Sequence, residues 1–130
     1  MNTTTFLLLR LGIAASMFGH GLVRLPKLTS FSNWMVGSFE KSMIPKALVV
    51  PFSYALPIAE FAVGLLLLLG LFTRPALLAG SWIMLALIMG TAMVENWEAI
   101  PSQLIHLAFF AVLIQFIPHN SWSLYRVLLK

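Results

Sequence analysis

The run "FSYALPIAEFAVGLLLLLGLFTRPALLAGSWIMLALIMGTAMV" (52–94) decides how the chain folds. It holds two apolar stretches, 52–72 and 75–94, separated by "TRP" (73–75), and its only charged side chains are Glu60 and Arg74. A transmembrane helix needs about 20 predominantly apolar residues. Each stretch is that long. Backbone inside lipid must satisfy its own hydrogen bonds, so these stretches are helices rather than open strands. The "TRP" tripeptide reads as a tight turn, with Pro75 at a first helical position where its missing N–H costs nothing.

Working outward, two more apolar stretches qualify, about 5–24 and about 102–118, the last at the short end of the range. The composition agrees. The 130 residues are 60% hydrophobic and 9% charged, with mean hydropathy +0.94. A soluble domain carries roughly 25% charged residues. The expectation is a single all-α domain over 1–130, an integral membrane four-helix bundle. Eight Lys and Arg against four Asp and Glu give a net charge of +4. The basic residues stand scattered at helix ends, as membrane anchors do, so a lipid bilayer rather than nucleic acid is the expected partner. There is no cysteine. Any redox chemistry therefore needs a bound cofactor or a partner protein.

The first connection, 25–51, is long. Phe31, Trp34, Met35 and Phe39 recur in it at helical spacing. This predicts a short amphipathic helix over about 29–43, lying at the interface or roofing the bundle. Four spans put both termini on one side. Arg74, Arg126 and Lys130 on that side against Arg24, Lys27, Lys41 and Lys46 on the other do not choose which side it is.

Four ionisable residues lie inside the spans: Arg10, His20, Glu60 and His106. Counted from the side facing the long connection at about 1.5 Å per residue, His20 and His106 lie roughly 6 Å deep, Glu60 roughly 12 Å and Arg10 roughly 20 Å. Glu60 is the sharpest of them. A charge at mid-bilayer costs about 3 kcal/mol, so the carboxylate is expected to face the bundle interior with a partner. Arg10 is the expected partner, with His20 the other. The bland reading is a structural carboxyl bonded to Ser53 on the same face. Arg10 has its own bland reading, snorkelling to the headgroups, and the histidines have theirs as neutral interfacial groups. Gly19 and Gly21 beside His20 permit close helix approach. Pro57, one turn before Glu60, is expected to kink its helix and free a carbonyl. Two histidines on separate helices also suit axial haem ligation, or a metal together with Glu60. Neither has a defining spacing, so no metal and no haem is expected.

The order of Arg10, "HGLVRL" (20–25) and "PIAEFAVGLLLLLGLFTRPALLAG" (57–80) resembles the DoxX family of small four-helix bacterial membrane proteins. The specific part is the block from Glu60 to Arg74. The family's His-Gly motif, followed by a basic residue and leucine, is met by His20, Gly21, Arg24 and Leu25. Its C-terminal "SLD" appears only within "SWSLY" (121–125), with Tyr125 in the aspartate's place. The resemblance implies a multi-pass protein of the bacterial inner membrane with both termini cytoplasmic. It also implies redox work: the family includes the membrane subunit of an archaeal thiosulfate:quinone oxidoreductase and proteins linked to thiol and oxidative stress.

The functional expectation joins the two lines. The chain reads as the membrane subunit of a quinone-linked oxidoreductase or redox-stress assembly, working with a redox partner protein and as a homo-oligomer. The pocket is expected between the first, second and fourth spans. Glu60 and His20 exchange protons with a quinone-like headgroup, Arg10 holds Glu60 ionised, and His106 adds a contact. A non-enzymatic scaffold and a small proton-coupled transporter are the competing readings.

Overall fold

The computed structural model describes residues 3–40 and 44–117, which are helical throughout apart from turns. Helix α1 spans Thr3–Arg24. Pro26 then breaks the backbone ladder, and Leu25–Lys27 form one 3₁₀ turn. Helix α2, Leu28–Ser38, follows. It occupies the place expected for the amphipathic segment; residues 41–43 of that expectation lie outside the described residues. Helix α3 spans Lys46–Leu69, α4 Thr73–Met93 and α5 Ile100–Gln115. The chain is an all-α membrane helical bundle.

Two boundaries differ from those read off the sequence. Helix α3 begins at Lys46, six residues before the expected start, and runs through both Pro51 and Pro57. Its N-terminal half is held by α2, where the Ser53 and Ser32 hydroxyls are hydrogen-bonded at 2.7 Å and Met35 packs with Val49 and Leu56. The turn between α3 and α4 falls on Gly70–Phe72 rather than on "TRP". Gly70 takes the left-handed conformation (φ 72°) that closes a helix without a Cβ penalty. Leu71 N–H reaches back to Leu66 O at 2.9 Å. Phe72 is also left-handed, and Thr73 and Pro75 already belong to α4. Helix α5 ends at Gln115; position 118 and the "SWSLY" tail lie outside the described residues.

Helix α1 packs on α3 and α5, and α4 packs on α3 and α5, which closes a ring of four antiparallel neighbours. The α1–α3 contact is a reciprocal lock. Gly21 lies against the backbone of Phe61, and Gly64 against the backbone of Phe18. The Phe18 and Phe61 rings meet at 5.0 Å. Gly21 serves the close approach expected of it, whereas Gly19 faces open space. On the opposite pair, the Phe110 ring of α5 rests on Gly80 of α4. Phe6, Met17, Leu67, Leu77, Phe110 and Leu113 fill the core between the helices. Leu8, Ile58, Trp82 and Met89 are exposed on the outside, as a surface solvated by lipid requires. Helices α1, α3 and α4 are long and apolar enough to span a membrane, and α5 is a shorter apolar helix that rises about 24 Å.

Candidate functional site

At the end of the bundle under α2 lies a cavity of about 260 Å³. Helix α1 contributes His20 and Arg24, α3 contributes Glu60, α5 contributes Gln103 and His106, and α2 covers it with Phe31, Trp34 and Met35. Helix α4, which the sequence reading left out of the pocket, adds Met84, Leu87 and Thr91.

Glu60 points inward and is 3% exposed. Its partner is Arg24, whose Nη1 donates to Glu60 Oε1 at 2.8 Å. This corrects the expected pairing with Arg10. The Gly21–Phe61 and Phe18–Gly64 contacts share one register, which sets Glu60 level with position 22 of α1. Arg10 is twelve residues farther along, about 18 Å away. Arg10 is buried but does not line the cavity. The structural alternative for Glu60 is also displaced, because Ser53 Oγ is engaged by Ser32 and by Val50 O. Arg24 makes a second contact: its guanidinium lies over the Phe31 ring at 4.6 Å, within cation–π range.

The two imidazoles stand with ring centroids 6.1 Å apart, edge to face, well inside the 12 Å that a shared pocket demands. Ser16 joins them. His20 Nδ1 lies 2.6 Å from Ser16 O, and His106 Nε2 lies 2.7 Å from Ser16 Oγ. His106 Nδ1 also lies 2.7 Å from Ser102 O. A backbone carbonyl only accepts, so both Nδ1 atoms carry hydrogen. In the neutral rings both Nε2 atoms are then acceptors. The Ser16 hydroxyl donates to the Nε2 of His106, while the Nε2 of His20 keeps its lone pair. Both nitrogens of His106 are thus taken, so it fixes Ser16 and presents its ring. Arg24, His20 and His106 all lie close enough to act electrostatically on the Glu60 carboxylate.

On the α4–α5 side, nearer the bundle end than His106, Gln103 Nε2 donates to Thr91 Oγ1 at 2.9 Å. Gln103 Oε1 is buried with no hydrogen-bond partner among the described residues. The sequence reading missed Arg24 as the ion-pair partner, Ser16 as the link between the histidines, and Thr91. Two signals were available: the i,i+4 spacing from Ser16 to His20, and the same spacing from His20 to Arg24, which puts all three on one face.

A ring of apolar helices around a polar cavity at one end defines a multi-pass membrane protein with an internal site. The chain belongs to the DoxX family, whose family model matches residues 5–95. That family is membrane-associated and often linked to redox and stress functions. The matched stretch carries α1 through α4 with His20, Arg24 and Glu60; Gln103 and His106 lie beyond it. No curated protein and no solved structure matches the chain.

Proposed function

We propose that the chain is the membrane subunit of a quinone-linked oxidoreductase or redox-stress assembly in the bacterial inner membrane, and that the cavity under α2 takes a quinone-like headgroup. One observation carries this reading. A buried carboxylate, paired with an arginine, shares a partly open cavity with two histidines just below an amphipathic roof. Intramembrane ionisable groups that converge on a cavity mark ligand or proton sites.

The dimensions support it. A cavity of 150 Å³ accepts benzene, so about 260 Å³ suits one substituted ring and not its isoprenoid tail. A second, largely apolar cavity of about 310 Å³ adjoins the first through shared Met35 and Phe39, with Leu48 and Phe52 on its walls. It would take the start of the tail. At the headgroup, the guanidinium of Arg24 donates to a ring oxygen while Glu60 and His20 exchange protons with it. The overall change is quinone plus two electrons plus two protons to quinol, with the electrons supplied by a redox partner protein. His106 and Ser16 hold His20 in position.

The test is solvent extraction of protein purified from native membranes in mild detergent. A stoichiometric quinone in the extract, lost in a His20→Phe/Glu60→Leu double variant, is the expected result. A folded protein that yields none and that binds no added short-chain quinone would end this reading and leave the scaffold.

A further inference from the structure

Three groups that line the cavity present acceptor atoms left uncommitted by the protein's own hydrogen bonds. His20 Nε2 has a lone pair, because Nδ1–H is committed to Ser16 O. Gln103 Oε1 is buried with no partner among the described residues, because Nε2 is committed to Thr91 Oγ1. Glu60 uses Oε1 for Arg24, and Oε2 keeps its acceptor capacity. Facing them is the guanidinium of Arg24, which gives one N–H to Glu60 and lies over the Phe31 ring. Trp34 and Asn96 are exposed at the rim.

We propose that the cavity selects the hydroquinone form of its ligand over the quinone form, because it offers lone pairs where a quinone offers lone pairs too. The proposal rests on the quinone reading above and adds a direction to it. A hydroquinone brings two O–H donors. One meets His20 Nε2, and the other reaches Gln103 Oε1 or Glu60 Oε2, while a hydroxyl oxygen still accepts from Arg24. A quinone can only accept. It satisfies Arg24 and leaves the remaining lone pairs facing its own carbonyl oxygens. A site built to hydrogen-bond a substrate hydroxyl rejects the analogue that lacks it, since the site's buried polar groups are then left unpaired.

Selectivity of this sign sets a potential. If the reduced form binds more tightly, the bound quinone is more readily reduced than the free one. Each tenfold of preference raises the two-electron potential by about 30 mV. The site would pull electrons from its partner and hold the product's two protons on oxygens bonded to His20 and Gln103. Release of the quinol to the lipid pool then becomes the slow step.

The experiment is equilibrium dialysis of the full chain in nanodiscs against a decyl-tailed benzoquinone and, under anaerobic conditions, against its hydroquinone. The expected result is a dissociation constant at least tenfold lower for the hydroquinone. Gln103→Leu should weaken hydroquinone binding several-fold and so narrow the ratio between the two dissociation constants. Equal affinities, or tighter quinone binding as the opposite amide orientation of Gln103 would give, overturn the selectivity and keep the quinone site. Binding of neither form above empty nanodiscs removes the quinone reading itself, and this proposal with it.

Discussion

Gly21 of α1 stands so close to Phe61 of α3 that a Cβ on the glycine would lie 2.6 Å from Phe61 Cα. The obstructing atoms are backbone, so no rotamer change relieves the clash. With lipid on the outside there is little hydrophobic drive between helices, and close backbone approach supplies much of the packing. Gly21→Leu should therefore separate α1 from α3 and destabilise the protein by about 1–3 kcal/mol or more. Gly19→Ala, two residues away and facing open space, should leave the unfolding temperature in detergent unchanged. Equal effects at both positions would contradict the lock.

The Arg24–Glu60 pair makes a second demand. Removing only Arg24, as Arg24→Met, strands a carboxylate that is 3% exposed. The cost should be about 3 kcal/mol, at the low end for a broken buried pair because the Arg24 side chain is 31% exposed. The double variant Arg24→Met/Glu60→Leu should recover most of it. Thermal unfolding of the four members of the cycle gives the coupling directly. If Arg10→Met rather than Arg24→Met is rescued by Glu60→Leu, the ion pair has been assigned to the wrong arginine.

Glu60→Gln keeps shape and removes charge. It should fold normally, hold less quinone through purification and lose the ion pair with Arg24. Retention equal to that of the parent would mean that the carboxylate serves packing alone.

Ser53 and Ser32 tie the roof to α3. Both are buried, and Ser53→Ala deletes the hydrogen bond between them. The expected loss is about 1–2 kcal/mol, localised to α2. Hydrogen exchange should accelerate at residues 28–38 and not in the α1–α3 contact. Uniform acceleration across the bundle would show that α2 is not a separate lid.

The antiparallel ring brings Thr3 and Gln115 to the same end. On family grounds both termini should be cytoplasmic, with the cavity near the outer face. Fusions after Lys130 should fluoresce as a cytoplasmic reporter and stay silent as a periplasmic phosphatase. The reverse pattern would move the cavity to the cytoplasmic side.

Hydropathy made the spans and the roof helix legible, because lipid and interface impose composition on whole stretches of chain. The inward face of Glu60 was legible for the same reason, since the cost of a charge in lipid needs no knowledge of neighbours. Its partner was not. Depth counted from apparent helix ends put Glu60 nearer to Arg10, but α3 extends six residues past its apolar run and slides Glu60 up to the level of Arg24. Hydropathy could not find that extension, because α2 rather than lipid holds it. Ser16 and Thr91 escaped because a single hydroxyl in an apolar helix has no periodic signature; only the neighbouring helix shows what it bonds. The turn at Gly70–Phe72 was misplaced toward Pro75 because proline is tolerated in a helix's first turn as well as before it.

Arg24 is the last residue of α1, the partner of Glu60 and the platform beneath Phe31. One guanidinium, on the residue just before the 3₁₀ turn, thus serves both the cavity wall and the underside of the roof. A headgroup that draws Arg24 toward its own oxygen takes it from Phe31. A ligand so placed and the roof would compete for a single cation, and by reciprocity whatever clamped α2 down would loosen that ligand by the same factor. If the cavity does hold a headgroup, a protein that pressed on α2 would weaken its binding without touching it.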